Sequence, residues 1–258
     1  MLRPIMSTVG FLVVLSAIGA VSAQQPAPAP GRQGGQGRGG GGGGAGAARA
    51  AALTMVFDVT FVRPASQTGQ TKVVQENIGD PNLELKQYGL HENCLLTSGN
   101  PGSDTTPFSV WSGECEQPFA TLFRHKTNYV DLSGTAKIRW AVKTSGFHVA
   151  RPVVKLADGT MYVGETAAAS VPMLLQSEVP LGAIRWIKLD PKRLVTMGLQ
   201  NAPMNEIWVP NVDLSRVDGV GFVDLMPASG HGTGGYIHIS QFQVYGRAVP
   251  RTGTTAGR

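Results

Sequence analysis

The feature that most constrains the fold is a series of short, alternating apolar segments within residues 53–246. Apolar residues occupy every second position of the segment 55–61, and Ile138, Trp140 and Val142 repeat the pattern. A period of two places successive side chains on opposite faces of a β-strand. Gly, Pro, Asn and Asp separate the segments, and no window sustains a helical period. The pattern predicts one all-β domain of about 190 residues, a single jelly-roll type β-sandwich with about eight to ten strands.

Both ends of the chain differ in composition from this region. Residues 1–23 contain Arg3, an apolar run and the small residues Val21-Ser22-Ala23, which together predict a cleaved secretory signal peptide. Residues 24–52 are a low-complexity linker rich in Pro, Gly and Arg, which buries too little apolar surface to fold, so we expect a disordered N-terminal tether. We expect a flexible tail at 247–258. The predicted location is secreted, periplasmic or extracellular, with no membrane span after cleavage.

The distribution of charge argues against a nucleic-acid partner. The whole chain has a net charge of +5, from 22 lysines and arginines against 17 acidic residues. Seven of the basic residues lie outside residues 53–246, whereas all 17 acidic residues lie between Asp58 and Asp224. The folding region is therefore slightly acidic, and a nucleic-acid-binding domain would instead present a basic surface to the phosphates.

The chain has two cysteines, Cys94 and Cys115. A structural zinc site needs four ligands, and although His91 lies near Cys94, no further Cys or His lies near Cys115. In an exported chain, an isolated pair about twenty residues apart is more typical of a disulfide. We therefore predict a bond between the two cysteines.

One hairpin can be followed to its side chains. Asp158-Gly159 lies between two apolar runs, and a two-residue turn there would pair Lys155 with Tyr162. In this register the aliphatic side chains of the hairpin face the core. The opposite face then presents Arg151, Lys155 and Tyr162 as a polar surface with one aromatic ring.

A neighbouring strand adds a second aromatic ring to that surface. If Ile187 and Leu189 point into the core, Trp186 lies on the other face and joins Tyr162. Flat aromatic rings flanked by polar groups suit the apolar faces and hydroxyl edges of sugars. The alternative is that both rings are half-buried sheet residues. Trp111 and Trp208 lie beside turn residues and fit either a loop rim or the core.

The sequence contains no recognisable arrangement of catalytic residues. Asp224, Ser229 and His231 are close in sequence, but no nucleophile elbow accompanies them. Glycoside hydrolysis needs two carboxylates at a defined separation, which the sequence does not specify. The available carboxylates are those of Glu165, Glu178, Glu206 and Asp224. We predict no catalytic residue.

The strand entries Val130-Asp131-Leu132-Ser133 and Val212-Asp213-Leu214-Ser215, followed by Val217–Phe222 and the closing segment Tyr236–Gly246, resemble the galactose-binding-like β-sandwich superfamily. The pattern is similar to family-eleven carbohydrate-binding modules and complex I intermediate-associated domains, and it spans Asn128–Gly246. The resemblance implies a sandwich that binds glycans on a sheet face or at loop ends. It also allows a structural calcium ion, and no other cofactor is expected.

The sequence therefore predicts a secreted, non-catalytic module that resembles carbohydrate-binding modules and binds a carbohydrate or envelope glycan. The predicted ligand-binding residues are Tyr162 and Trp186 for stacking, and Arg151, Lys155 and His231 for hydrogen bonding. His231 belongs to a glycine-rich loop. The first alternative is a structural or protein-interaction domain whose partner is another envelope protein, and a glycoside hydrolase or lyase comes third.

Overall fold

The structure, a computed structural model, describes residues 53–168, 170–197, 207–230 and 234–251. Thirteen strands and two short 3-10 turns form within these ranges. The strands are β1 (Thr54–Thr60), β2 (Leu83–Tyr88), β3 (Leu96–Ser98), β4 (Ser109–Trp111), β5 (Phe119–His125), β6 (Asn128–Asp131), β7 (Lys137–Gly146), β8 (Arg151–Leu156), β9 (Met161–Gly164), β10 (Val171–Pro180), β11 (Trp186–Leu189), β12 (Val217–Asp224) and β13 (Gly235–Pro250). The 3-10 turns are Gln75–Asn77 and Leu181–Ala183. The predicted signal peptide and linker lie outside the described ranges.

The strands form two antiparallel layers. In the first sheet the order is β10-β7-β13, with β1 and β4 side by side along the far edge of β13 and β3 beyond β4. In the second sheet the order is β11-β9-β8-β12-β5-β2. The long β13 and the short β6 connect the layers. The predicted all-β sandwich is confirmed, and residues 53–127 complete both sheets.

Alternation along the strands fills the space between the two sheets. The side chains of Phe57, Trp140, Phe222 and Phe242 are at most 1 % exposed and belong to this main core. The Trp140 indole N–H donates to Ser177 Oγ at 2.9 Å, so its polar edge is satisfied. Trp140 is therefore in the core, as its strand pattern predicts.

The second sheet is apolar on its outer face as well. A smaller group, here called the outer apolar cluster, includes Val153, Met161, Val163, Ile187 and Leu189. Irregular chain covers part of it: Leu194 and Ile207 pack into this cluster, and Val209 bonds through its backbone to the edge of β11. The remainder of the outer face is open, and the candidate site lies there.

The repeated Asp-Leu-Ser segments form local turns. Asp131 Oδ1 accepts the Ser133 backbone N–H at 2.9 Å, and Asp213 Oδ1 accepts that of Ser215 at 2.9 Å. The leucines between them are buried, and the Leu132 N–H donates to the Leu214 carbonyl. Each segment therefore turns the chain and inserts one apolar side chain into the core, and the two copies bond to each other.

The predicted end of the domain at Gly246 differs from the structure. Strand β13 continues four residues past Gly246, because Arg247 pairs with Asp131 at 3.0 Å and the backbone pairs with β6. Residues 247–250 therefore belong to the domain, whereas 252–258 lie outside the described ranges. After Asp190 the chain forms a turn, in which Asp190 Oδ1 accepts the Lys192 N–H at 2.7 Å.

The predicted disulfide is confirmed. Cys94 and Cys115 are bonded, both are buried, and they belong to the main core. The bond ties the chain just after the β2–β3 turn to the chain that precedes β5. Across the described ranges, no helix is long and apolar enough to cross a membrane.

Candidate functional site

A trough crosses the outer face of the second sheet along β12. Two glycines on that face, Gly219 and Gly221, stand where neighbouring strands carry side chains. Gly221 lies opposite Leu122 on β5 and Val153 on β8, and Gly219 lies opposite Lys155. Because the glycines have no side chains, the residues on β5 and β8 form the walls and the β12 backbone forms the floor.

The two glycines have different reasons to be there. A Cβ at position 221 would lie 1.9 Å from the Thr121 carbonyl oxygen, so the pairing with β5 allows no side chain. A Cβ at position 219 would meet Leu122 at 3.4 Å, which is an ordinary contact. Packing therefore requires glycine at 221 but accommodates at least a methyl group at 219, so the open floor at 219 is not a steric necessity.

Tyr88 and Lys155 meet above this floor from opposite sides. Lys155 Nζ donates to Tyr88 Oη at 3.2 Å and lies 5.4 Å from the centre of the tyrosine ring. These two distances place the ammonium beside the hydroxyl rather than over the middle of the ring. Both side chains are half-buried, and the tyrosine ring packs against the outer apolar cluster. The pair therefore holds a partly exposed aromatic ring in a fixed orientation.

A charged network occupies one wall of the trough. Arg124 donates to Glu84 Oε2 at 2.8 Å and to Asp218 Oδ1 at 3.0 Å, and Arg251 also pairs with Asp218. The bond from Arg124 lowers the pKa of the Glu84 carboxyl. Burial opposes ionisation of Asp218, but the bonds from Arg124 and Arg251 outweigh it and lower its pKa. Both acids are therefore ionised and already bound near neutral pH.

Two adjacent hollows share Tyr88 and Lys155 in their lining. The first has a volume of about 320 Å³, and its lining includes Lys86, Tyr88, Arg124, Lys155, Asp218 and Gly219. The second, of about 570 Å³, opens toward the loops, and its lining includes Tyr88, Leu90, Glu92, Lys155, Pro191 and Lys192. The term groove is used below for these two hollows together. It is an open, mixed surface with one aromatic ring and several fixed hydrogen-bonding groups.

The hairpin prediction is wrong by one residue. Lys155 pairs with Met161, not with Tyr162, which instead lies opposite Val154. The loop has three residues, because Gly159 adopts φ +89° and the Leu156 N–H bonds to the Thr160 carbonyl. A slip of one residue moves a side chain to the other face of a sheet. Lys155 therefore points outward, whereas Tyr162 packs against the main core.

The prediction that Trp186 lies on an exposed face of the sheet is also wrong. It does share a sheet face with Tyr162, as predicted, but that face looks into the sandwich, and Trp186 is 1 % exposed in the main core. The expected core residues Ile187 and Leu189 pack outside, in the outer apolar cluster. The sheet is apolar on both faces here, so alternation alone misassigns the side. A stacking platform of Tyr162 and Trp186 does not form.

The remaining predicted ligand residues do not lie together at one site in the described structure. Arg151 lies on the outer face with Lys155 but donates to the backbone carbonyl of Glu165 and lines a separate apolar hollow beside Trp208. Of the four predicted ligand residues that the structure describes, only Lys155 lines the groove. His231 lies outside the described ranges, and ligand binding by it stays a prediction. Trp208 is half-buried beneath the Arg185 guanidinium, and Trp111 is 6 % exposed.

The carboxylates considered for hydrolysis are bound elsewhere. Glu165 pairs with Arg185, and Glu178 pairs with Lys137 and Arg139. Asp224 is fully buried and contacts His148 Nδ1 at 2.7 Å, and burial raises its pKa. Glu206 lies outside the described ranges.

A serine and a histidine are in contact on the outer face of the first sheet. Ser109 Oγ lies 2.6 Å from His238 Nε2, beside a cavity of about 670 Å³. Ser109 itself is 0 % exposed, and its hydroxyl also lies 3.0 Å from the Pro107 carbonyl. Burial and the charge of Lys143 lower the pKa of His238 to about 4. Ser109 is buried away from the cavity that His238 lines, so its hydroxyl is not placed as a nucleophile, which must reach its substrate.

The described side chains do not mark a position for the calcium ion that the resemblance allows. Nowhere in the described ranges do three or more His, Cys, Asp or Glu side chains converge. Calcium coordination uses six to eight oxygens, of which carboxylates are the usual anchors. The ion therefore stays an expectation of the resemblance.

Sequence reasoning missed Tyr88, Gly219 and Arg124. The first two had a readable signal in the sequence. Tyr88 ends the strand-like run Asn82–Tyr88, and Gly219 and Gly221 leave one face of the Val217–Phe222 segment without side chains. Arg124 had none, because its partners Glu84 and Asp218 are 40 and 94 residues away in sequence.

The comparisons with known proteins give structural neighbours only. No family model matches the chain, and no curated protein matches it. Its structure is similar to the family 11 carbohydrate-binding module of the cellulosomal cellulase Lic26A-Cel5E of Clostridium thermocellum, at 13 % identity and a TM-score of 0.36, over 72 % of this chain and 97 % of that one. It is also similar to a Clostridium thermocellum family 11 module in complex with a β-1,3-1,4-mixed-linked tetrasaccharide, at 15 % identity and a TM-score of 0.36, over 72 % of this chain and 100 % of that one. Similarity at this level transfers no binding residue.

Proposed function

We propose that this protein is a secreted, non-catalytic carbohydrate-binding module whose glycan lies in the groove on the outer face of the second sheet. The observation that carries the proposal is Tyr88, a partly exposed ring held by Lys155 beside a floor of bare backbone at Gly219. A sugar ring offers an apolar face to an aromatic side chain and hydroxyl groups to charged ones. The groove provides both on a rigid sheet, where binding need not order a flexible segment.

The state of the carboxylates supports binding rather than hydrolysis in this groove. A glycosidase needs one protonated and one free carboxyl group across the scissile bond. Glu84 and Asp218 are both ionised and both bound to Arg124. They can accept hydrogen bonds from hydroxyl groups. Because Arg124 keeps both of them ionised, neither is available as the general acid.

The disulfide and the predicted signal peptide support secretion. A bond between Cys94 and Cys115 persists in an oxidising compartment, which agrees with export.

The test is binding to a panel of soluble polysaccharides by affinity gel electrophoresis, followed by calorimetry on those that retard the protein. Tyr88→Ala should weaken binding at least tenfold, because it removes the stacking ring, whereas Tyr88→Phe keeps the ring and should lose less affinity than Tyr88→Ala. Tyr245→Ala is the matched control, since Tyr245 is a half-buried ring on the outer face of the first sheet, beneath Lys137 and Arg139. Equal loss in Tyr88→Ala and Tyr245→Ala, or no binding to any polysaccharide, would refute the proposal.

A second variant tests the trough itself. Gly219→Val adds a branched side chain to the floor where a Cβ has ordinary contacts, so the domain should fold with a circular dichroism spectrum like that of the original protein. Glycan binding should fall, because the added methyl groups occupy the open floor beneath the Tyr88–Lys155 pair. Unchanged affinity in the folded variant would place the glycan elsewhere.

A further inference from the structure

The chemical class of the ligand follows from the charge of Lys155. Its Nζ lies beside Tyr88 Oη, a neutral partner, and among the residues that the structure describes no carboxylate lies within ion-pair distance of it. The side chain is half-buried, so it has lost part of its hydration. A partly desolvated ammonium without a counter-charge is stabilised by an anion supplied from outside.

The other charged side chains of the groove either have partners of opposite charge or are exposed to solvent. Arg124 is bound by two carboxylates, and Lys86 lies 3.3 Å from Glu84 Oε2. Lys192 and Glu92 are exposed at the opening of the second hollow, one of each sign. Lys155 is therefore the cation at the junction of the hollows whose charge the described groove residues leave uncompensated.

The geometry of the Lys155–Tyr88 pair fits a planar anion. The lysine donates to the tyrosine oxygen, so the tyrosine keeps its own O–H hydrogen to donate elsewhere. The pair therefore offers two donors whose heavy atoms are 3.2 Å apart, and a carboxylate has two acceptor oxygens on one side. The ring of Tyr88 is part of the same pair, so an acidic sugar can bind the ring and the donors together.

We propose that the groove selects an acidic glycan, and that Lys155 together with Tyr88 Oη binds the carboxylate of a uronic acid residue. The inference rests on the proposed function and adds the ligand class to it. The domain as a whole is slightly acidic, so this preference would come from the local pair and not from general attraction of a polyanion.

The experiment compares two polymers with the same backbone: polygalacturonic acid and its fully methyl-esterified form. The full chain should bind the acid form at least tenfold more tightly than the ester by calorimetry, and the difference should shrink as salt rises. Lys155→Met keeps the aliphatic stem and removes the charge, so it should abolish the difference. Lys188→Met is the matched control, because Lys188 is an exposed lysine on β11, two strands from β8 in the same sheet, but on the other face of that sheet.

The outcomes separate this inference from the proposed function. Equal binding of acid and ester, with loss in Tyr88→Ala but not in Lys155→Met, overturns the acidic ligand and leaves the glycan module intact. If Lys155→Met and Lys188→Met reduce the preference for the acid form equally, the Lys155–Tyr88 pair is not the cause of that preference. Retention on heparin but neither on desulfated heparin nor on polygalacturonic acid overturns the uronate in favour of a sulfate ester. Absence of binding to every polysaccharide overturns both proposals.

Discussion

The disulfide should contribute measurably both to stability and to binding. It closes a loop with a sequence separation of 21 residues between Cys94 and Cys115. The chain-entropy relation for a loop of this size gives about 3 kcal/mol of stabilisation at 25 °C. For a domain of this size, each kcal/mol corresponds to about 2–4 °C, so reduction should lower the Tm by about 6–12 °C.

The same bond holds one wall of the groove. Leu90 and Glu92, which line the second hollow, lie between the end of β2 and Cys94. Once the bond is reduced, this short turn loses its anchor to the segment before β5. We therefore expect weaker glycan binding at temperatures where the reduced domain is still folded.

The assay is thermal unfolding by circular dichroism with and without a phosphine reductant, together with calorimetry on the reduced protein. The Cys94→Ala/Cys115→Ala double variant should match the reduced protein and should not respond to the reductant. A Tm change below about 2 °C on reduction, or an equal reductant effect on the double variant, would refute the loop-entropy reasoning.

Two further predictions concern stability. The pKa of His238 falls from 6.5 in the unfolded chain to about 4 in the fold, so its contribution is complete above pH 6.5 and is lost as the pH falls toward 4. That difference in pKa corresponds to about 3 kcal/mol of stability. Between pH 7.5 and pH 4.5, the free energy of unfolding measured in urea should therefore fall less in His238→Gln than in the original protein. An equal fall in the two proteins would contradict the prediction. Trp186→Ala should cost about 3–5 kcal/mol in the same assay at pH 7.5, since the ring is 1 % exposed; a loss below about 1 kcal/mol would return Trp186 to the surface.

Much of the fold could be predicted because alternation is a local property. The segment 55–61 and the Ile138–Val142 strand follow their apolar pattern in the structure. The Asp-Leu-Ser turns need only bonds between residues two apart, as at Asp131 and Ser133. Two cysteines in a chain predicted to be exported allow one intramolecular disulfide, and that bond is present between Cys94 and Cys115.

The candidate site was less predictable because it depends on contacts between distant strands. Lys155 was selected from its strand pattern, but its partner Tyr88 is 67 residues away. The network around Arg124 joins β2, β5 and β12, which only the order of strands in the sheet brings together. No local pattern encodes that order.

The sequence by itself determined that this chain forms antiparallel strands with one Asp-Gly turn between β8 and β9, and which side chains of each strand share a face. Only the tertiary structure decided which face is buried. The choice depended on a three-residue loop at Gly159 instead of a two-residue turn, and on Leu194 and Ile207 covering a second apolar face. Because one residue of register exchanges the two faces of a strand, Tyr162 faces the core while Lys155 points into an open groove. Trp186 faces the core because the sheet is apolar on both faces at β11, where Ile187 and Leu189 take the outer face.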